Sequence, residues 1–152
     1  MSYDKSGRLD DLVIFPGEQE VEKYVYTPGI HGLDFAKGLK EGKIYGMKCK
    51  NGKIYVPPKT FCPDFTQGEL VEIKDEWILV SYTIVYQDMY KNKLDNPKIV
   101  GVIKPKNAET GLIHLLNVPL DKLDVGIKLK PVFRPENERK GTINDILYFE
   151  LA

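Results

Sequence analysis

One stretch, residues 42–65, constrains the fold of this chain more than any other. It reads GKIYGMKCKNGKIYVPPKTFCPDF, with a short alternating segment on each side of Asn51-Gly52. Asn-Gly between alternating apolar runs is a strong hairpin signal, because both residues tolerate a positive φ. Pro57-Pro58 follows the second segment and cannot belong to a central strand. The stretch therefore predicts a β-hairpin followed by a rigid, extended connection.

The two cysteines of the chain, Cys49 and Cys62, lie in two turns of this stretch. Two cysteine-bearing turns joined by a hairpin form the skeleton of a zinc ribbon. A working ribbon carries C-x-x-C in each turn, because tetrahedral zinc needs four thiolate or imidazole ligands. Here the second ligand position of the first turn falls near Asn51, and that of the second turn is Phe65. The sequence therefore predicts a degenerate ribbon without a bound metal, and no cofactor is expected.

No other residue supplies the missing ligands in the sequence, since His31 lies well upstream and His114 belongs to a predicted barrel strand. Cys49 and Cys62 are then expected either as two reduced thiols or as one disulfide across the turns. A disulfide that closes a loop of this size contributes roughly 3 kcal/mol in the entropic model. Such a bond would partly replace the folding role of the metal.

The region before the ribbon predicts a short helix and a docking segment. Apolar residues recur at helical spacing between residues 33 and 39, and Gly42 stands just past their end. The apolar run at residues 12–15 is too long for a free tail, so it is expected to dock on the body or on a partner. The helix either packs on its own ribbon or docks on a partner enzyme, and residues 1–41 are assigned as an N-terminal segment and docking helix. Three of its residues are predicted to contact a partner: Phe15, Phe35 and Leu39.

Residues 69–152 predict a five-stranded barrel of the OB type, after the ribbon at residues 42–68. The run WILVSYTIVY at residues 77–86 is rich in β-branched and aromatic residues, which favours a buried strand. Short strands at such spacing are typical of small barrels. Residues 70–73 are expected to form a crossover into the barrel, and residues 87–97 a longer excursion. The further strand candidates are residues 98–103, 112–116, 127–133 and 143–151.

The chain from residue 26 to its end resembles the family catalogued as domain of unknown function 35. Residues 82–85 and 143–149 fit the second half of the family pattern, and several pieces fit its first half. The resemblance implies a helix, a rubredoxin-like zinc ribbon and an OB-fold. The two missing cysteines and a first turn one residue short depart from the pattern. The matching pieces of the first half are Phe35, Leu39-Lys40-Glu41-Gly42-Lys43, Gly46, Lys48-Cys49, Pro57-Pro58-Lys59 and Cys62-Pro63.

The same resemblance implies a non-catalytic accessory subunit that binds acyl-CoA. Similar proteins partner thiolase-type enzymes, and in archaea they bridge acetoacetyl-CoA thiolase and hydroxymethylglutaryl-CoA synthase. The expected partners are therefore a thiolase-like enzyme and, as a second candidate, hydroxymethylglutaryl-CoA synthase, in the mevalonate pathway or a related one. Contacts with acyl-CoA are assigned through the resemblance to five residues: Lys48, Tyr55, Lys59, Lys104 and Lys106.

Two alternatives from other classes stay open. OB barrels often bind single-stranded nucleic acid, and Tyr82, Tyr86, Tyr90 and Phe133 could stack on bases. Twenty-two basic residues balance twenty-two acidic ones, however, so the chain lacks the net positive charge that dominates such binding. Nucleic acid is therefore not the expected partner. The other alternative is a thioesterase-like or aldolase-associated subunit whose chemistry lies in its partner.

Composition and motifs exclude further classes. With two histidines in different segments and no G-x-S-x-G motif, no catalytic residue is nominated. No apolar run is long enough to span a bilayer, so no membrane is expected. The polar N-terminal residues do not resemble a signal peptide, and a cytoplasmic location is expected.

The first prediction is that the protein binds no zinc. Protein purified without chelator should contain far less than one zinc ion per chain, because two thiol ligands stand where four are needed. Elemental analysis by mass spectrometry measures this directly. One zinc ion per chain would contradict the prediction.

Overall fold

A computed structural model describes residues 27–152, and Phe15 with the rest of residues 1–26 lies outside the described residues. One helix, α1 (Gly29–Glu41), comes before two β-sheets. The first is a three-stranded sheet in the order β2-β1-β3, and the second is a closed barrel in the order β4-β5-β6-β8-β7. The expected mainly-β fold, with a helix, a ribbon and an OB barrel, is confirmed. The strands are β1 (Tyr45–Lys48), β2 (Ile54–Tyr55), β3 (Glu69–Glu72), β4 (Trp77–Gln87), β5 (Lys93–Pro105), β6 (Leu112–Asn117), β7 (Lys128–Phe133) and β8 (Ile146–Leu151).

Helix α1 is bounded by the residues that break the chain on each side. It begins directly after Pro28, earlier than the apolar spacing alone indicates, and it ends at Gly42 with φ +78°. The N–H of Gly42 donates to the carbonyl of Leu39 at 3.0 Å, and the N–H of Lys43 donates to that of Gly38 at 2.8 Å. These two bonds satisfy the last carbonyls of the helix, as a left-handed C-cap does.

The ribbon sheet contains one more strand than the sequence indicated. The predicted crossover at residues 70–73 is instead the strand β3, which pairs antiparallel with β1 over four positions. β1 lies at the centre, so Met47 stands opposite Tyr55 on one side and Leu70 on the other. β3 pairs with a segment more than twenty residues away, and no local sequence pattern indicates such a pairing.

The barrel differs from the prediction at two strand boundaries. Residues 87–97 are not an excursion, because β4 and β5 continue as an antiparallel hairpin as far as Gln87 and Lys93. β8 begins at Ile146 rather than at residue 143, since residues 143–145 form a 3-10 turn. β6 and β8 are parallel and pair only at Leu116 with Phe149 and at Asn117 with Glu150. The barrel is therefore closed by a short seam.

One buried apolar cluster joins the helix, the ribbon and the barrel. Leu39 of α1 is 1% exposed, and Val56 beside β2 is fully buried in the same cluster. The barrel contributes Trp77 and Phe149, whose ring centroids lie 5.2 Å apart. Because apolar burial is the main source of stability, the three parts are expected to fold together.

A buried carboxylate fixes the loop between β7 and β8. Asp145 is 2% exposed, and its carboxylate accepts hydrogen bonds from the backbone N–H groups of Lys140, Gly141 and Thr142 at 2.6–3.1 Å. Burial raises the pKa of Asp145, but the hydrogen bonds from Lys140, Thr142 and Gly141 outweigh it, so the pKa lies below its ordinary value. Gly141 also approaches Ala36 of α1. The carboxylate therefore holds the loop against the helix.

We predict that Asp145→Asn lowers the free energy of unfolding by about 1–3 kcal/mol at neutral pH, because the amide cannot replace a charged acceptor of three N–H groups. Because the pKa of Asp145 is lower in the folded state than in the unfolded state, the carboxylate stabilises the fold at pH values above its unfolded pKa of about 4. This stabilisation is lost as the pH falls through the folded-state pKa. The difference between wild type and variant should therefore shrink below about pH 4. Urea unfolding at pH 7 and pH 3 measures it. The exposed Asp95→Asn is the control, and an equal deficit at both pH values would contradict the prediction.

Candidate functional site

The two cysteine turns have the same backbone hydrogen bonds. In each turn the cysteine carbonyl accepts from the N–H three residues later, and the cysteine N–H donates to the carbonyl four residues later. The fourth residue of each turn has a positive φ, +82° in one and +61° in the other. The equivalent sets are Cys49, Gly52 and Lys53 in the first turn and Cys62, Phe65 and Thr66 in the second, with distances of 2.8–2.9 Å.

A side-chain cap also occupies the same position in both turns. Asn51 Oδ1 accepts from the N–H of Lys53 at 3.0 Å, and Asp64 Oδ1 accepts from the N–H of Thr66 at 3.1 Å. The hydroxyl and the N–H of Thr66 lower the pKa of Asp64 below its ordinary value. Asn51 is therefore equivalent to Asp64, and Gly52 is the residue equivalent to Phe65. This corrects the placement of the first vacant ligand position near Asn51.

Cys49 and Cys62 are joined in a disulfide, with Cα atoms 6.0 Å apart. Of the two states left open by the sequence, the structure contains the bonded one. Both cysteines are 3% exposed and pack with Met47 and Tyr55 in a small separate cluster. Within residues 27–152 no three His, Cys, Asp or Glu side chains are grouped as metal ligands. The residues of this ribbon therefore do not fit zinc, because the two cysteine sulfurs are bonded to each other.

Three of the five residues assigned to acyl-CoA lie near the junction of ribbon and barrel. Lys59 Nζ stands over the ring of Tyr55, 5.7 Å from its centroid. Lys104 Nζ donates to the carbonyl of Ala108 at 3.0 Å, and Ala108 forms a β-bridge with Ile54, the neighbour of Tyr55. The Tyr55 ring and Lys59 thus lie on the ribbon side of the junction, and Lys104 lies on its barrel side.

The other two residues, Lys48 and Lys106, lie apart from this group. Lys48 pairs with Ile54 in the sheet, while Tyr55 pairs with Met47. Since neighbouring side chains of a strand point to opposite faces, Lys48 and Tyr55 lie on opposite faces of the ribbon. Lys106 is exposed, and its N–H donates to the carbonyl of Glu76 at 2.9 Å. A single site that contains all five residues is therefore not formed.

The loop between β5 and β6 fastens the ribbon to the barrel. Thr110 Oγ1 accepts from the N–H of Val56 at 2.9 Å and donates to the carbonyl of Val56 at 3.0 Å. The N–H of Glu109 donates to the carbonyl of Ile54 at 2.8 Å, and the Glu109 carboxylate pairs with Lys53 at 3.4 Å. We call this set of bonds the ribbon clasp.

An open surface cavity of about 580 Å³ lies on the barrel beside the β6–β8 seam. This volume lies in the range of small-molecule sites, and most side chains around it are apolar. Lys98 adds one cation to the wall. The sequence did not point to this cavity, because its walls come from segments far apart in the chain. Its apolar walls include Ile99, Leu115, Leu116, Val118, Pro119, Leu120, Leu147 and Tyr148.

In the structure, Leu39 and Phe35, which were predicted to contact a partner, pack in or against the core of the chain. Leu39 is buried in the core of the chain itself, which corrects its assignment to a partner surface. Phe35 is partly buried against the same core. The helix instead exposes Ile30 and Leu33, at 76% and 48% of their surface. The spacing of these two residues by three was the signal that could have found them.

Two phenylalanines at the second cysteine turn are exposed as well. Phe65 is 88% exposed and Phe61 is 49% exposed. Gly29, at the start of α1, lies beside Thr60, where a Cβ would stand 3.9 Å from its hydroxyl. We call Ile30, Leu33, Phe61 and Phe65 together the helix–ribbon surface.

Three of the four barrel aromatics proposed for base stacking are exposed. Tyr82, Tyr86 and Tyr90 are 40%, 54% and 76% exposed. Phe133 is partly buried, and the guanidinium of Arg139 covers its ring at 5.4 Å from the centroid. Stacking on Phe133 is therefore blocked in this structure.

In the part of the chain that the structure describes, no helix is long and apolar enough to cross a membrane.

Comparison with known proteins gives a family match and several similar solved structures. A family model for the ChsH2 rubredoxin-like zinc ribbon domain matches residues 36–64. A DUF35-family protein of unknown function from Sulfolobus solfataricus is 34% identical, with a TM-score of 0.65, over 82% of this chain and 87% of that one. The structure described as the Ltp2-ChsH2(DUF35) aldolase is 16% identical, with a TM-score of 0.58, over 78% of this chain and 91% of that one. At that identity the second likeness shows the fold alone.

We predict that Thr110→Val weakens the ribbon clasp and lowers the free energy of unfolding by about 1–3 kcal/mol, because it leaves the buried N–H and carbonyl of Val56 without a partner. Thr110→Ser keeps the hydroxyl and should recover most of the loss. Thr83→Val on the exposed face of β4 is the matched control. Urea unfolding of the three variants tests this, and equal stability of Thr110→Val and Thr83→Val would contradict it.

Proposed function

Because this chain belongs to the DUF35 family, we propose that it is a non-catalytic accessory subunit of an acyl-CoA enzyme. Its helix–ribbon surface binds a thiolase-like enzyme, and its ribbon and barrel contribute contacts to the acyl-CoA that this enzyme uses. Hydroxymethylglutaryl-CoA synthase is the candidate for a second partner. The protein then acts as a scaffold between two enzymes of the mevalonate pathway or of a related one.

The observation that carries this proposal is the helix–ribbon surface. Its four large apolar side chains are between 48% and 88% exposed. An exposed group of large apolar residues on a small domain is typical of a protein interface. The turn that holds Phe65 is fixed by backbone bonds and by Asp64, so little conformational freedom would be lost on binding. The relative described as the Ltp2-ChsH2(DUF35) aldolase supports an enzyme as the partner.

The contacts with acyl-CoA are supported by charge and by shape. The phosphates of CoA need cations, and Lys59 and Lys104 supply one on each side of the junction between ribbon and barrel. The pantetheine arm needs a mostly apolar channel, which the barrel cavity of about 580 Å³ resembles in size and lining. All five assignments stay predictions, and Lys48 and Lys106 lie apart from the other three residues.

The proposed mechanism is positional. A subunit that holds one CoA thioester between two active sites replaces diffusion through solvent with a local encounter. Short tethers give effective concentrations in the roughly millimolar range, so an unfavourable condensation can pass its product directly to the next enzyme. On this mechanism the protein alone turns over no acyl-CoA, and it raises coupled flux without changing the rate of the first half-reaction.

We predict that the double variant Ile30→Glu/Leu33→Glu weakens binding to the thiolase partner at least roughly a hundredfold, because two carboxylates would be buried without counter-charges. Co-purification followed by calorimetric titration measures the loss. The matched control is Ile113→Glu, since Ile113 is 71% exposed on strand β6 of the barrel. Undiminished binding by the double variant would place the interface elsewhere.

We predict that Lys59→Glu weakens retention of CoA by roughly tenfold, because it reverses one charge beside the phosphates. The exposed Lys122→Glu is the control for net charge. A titration with CoA and with an unstructured oligonucleotide in one buffer also tests the alternative, which the exposed Tyr82, Tyr86 and Tyr90 favour. Salt-sensitive oligonucleotide binding at micromolar concentration, without thiolase association, would replace this proposal by that of a nucleic-acid-binding module.

A further inference from the structure

We propose that the Cys49–Cys62 disulfide and the two side-chain caps do in this chain what a four-ligand zinc site does in a ribbon. They hold the two turns together, and they make the ribbon sensitive to reductants rather than to chelators. The inference rests on the turns themselves and does not depend on the identity of a partner.

The first argument is that each turn is complete without a metal. Asn51 and Asp64 accept the N–H groups of Lys53 and Thr66, and the cysteine carbonyls accept the N–H groups of the fourth residues. Buried or constrained backbone groups must find partners, and here side chains of the turns supply them. The same cap at the same position of both turns shows that these backbone groups have partners without a metal.

The second argument is that the outer face of the ribbon needs a cross-link. Its buried cluster has four members, and two of them are the bonded cysteines. Met47 and Tyr55 alone bury too little apolar surface to hold two turns, and lobes of this size depend on disulfides or metals. The bond joins residues thirteen positions apart, across the Pro57-Pro58 connection. It therefore links the first turn directly to the second.

The cross-link forms and breaks by thiol–disulfide exchange. Two cysteine thiols and one low-molecular-weight disulfide give the protein disulfide and two small thiols. The cysteines together lose two electrons and two protons, and the small disulfide gains them. A dithiol reverses the reaction and is itself oxidised to a cyclic disulfide. No metal takes part in either direction.

Reduction has a consequence for the apolar surface of the second turn. Phe61 and Phe65 flank Cys62, and Phe65 keeps a left-handed backbone that is unusual for a bulky residue. The bond through Cys62 anchors that turn to the first one. When the bond is broken, both phenylalanines lose their fixed position relative to β1. The oxidation state of the cysteines thus decides whether this surface is ordered.

Hydrogen exchange of the full-length protein, read by mass spectrometry, tests the proposal. The protein is compared as purified, with EDTA, with dithiothreitol, and with dithiothreitol plus zinc chloride. Dithiothreitol should speed exchange of the N–H groups of Gly52 and Phe65 by roughly a hundredfold, the effect expected from opening a loop of this length. The barrel N–H of Leu79, which donates to Ile127, should exchange unchanged. EDTA should change neither region, and zinc should not restore the protection.

Two further results support or overturn the proposal. The intact mass of the purified protein should be lower than that of the reduced protein by two hydrogen atoms. Cys49→Ser/Cys62→Ser should exchange in the ribbon as fast as the reduced wild type, with or without reductant; the wild-type comparison stands even if this variant does not fold. Faster exchange with EDTA, restored protection with zinc, or no response to dithiothreitol would each overturn the proposal.

Discussion

The hydroxyl of Thr110 is the contact on which the arrangement of ribbon and barrel depends. It satisfies both backbone groups of Val56, which is fully buried. The ribbon sheet has too few residues to form a core of its own, and one of its faces packs on the barrel through Ile44 and Val56. Polar groups at that contact would destabilise it unless they were paired. The clasp pairs them, so the apolar surfaces of ribbon and barrel can meet without unsatisfied backbone between them.

Much of the fold could be predicted because its signals are local. Asn51-Gly52 determines the first hairpin, and the β-branched run at residues 77–86 determines the first barrel strand. The missed features are non-local. β3 has a glutamate at each end and pairs with residues more than twenty positions away, so its segment read as a connection. Leu39 was assigned to a partner because helical spacing identifies an apolar face without showing whether that face meets the barrel or another protein.

The candidate site could be predicted less well, and the reasons are geometric. Lys48 and Tyr55 were grouped through the family resemblance, yet the register of β1 and β2 places them on opposite faces. That register follows from the alternation of the two strands, so the sequence contained the information. The barrel cavity could not be found in this way, since its walls come from three strands and the segment that follows β6. The bonded state of the cysteines also required the structure, because sequence alone does not show how closely two turns approach.

The short seam between β6 and β8 leaves most of the length of these two neighbouring strands without backbone pairing to each other. Only two residue pairs close it, and the cavity opens where the pairing stops, between Leu115 on one side and Leu147 on the other. Longer pairing would bring the two strands together at these positions and narrow the space between them. The cavity is a surface feature of the barrel, since most of the residues along it are exposed. The number of paired residues along one strand edge thus sets how wide this surface cavity is, while side chains fill the barrel core.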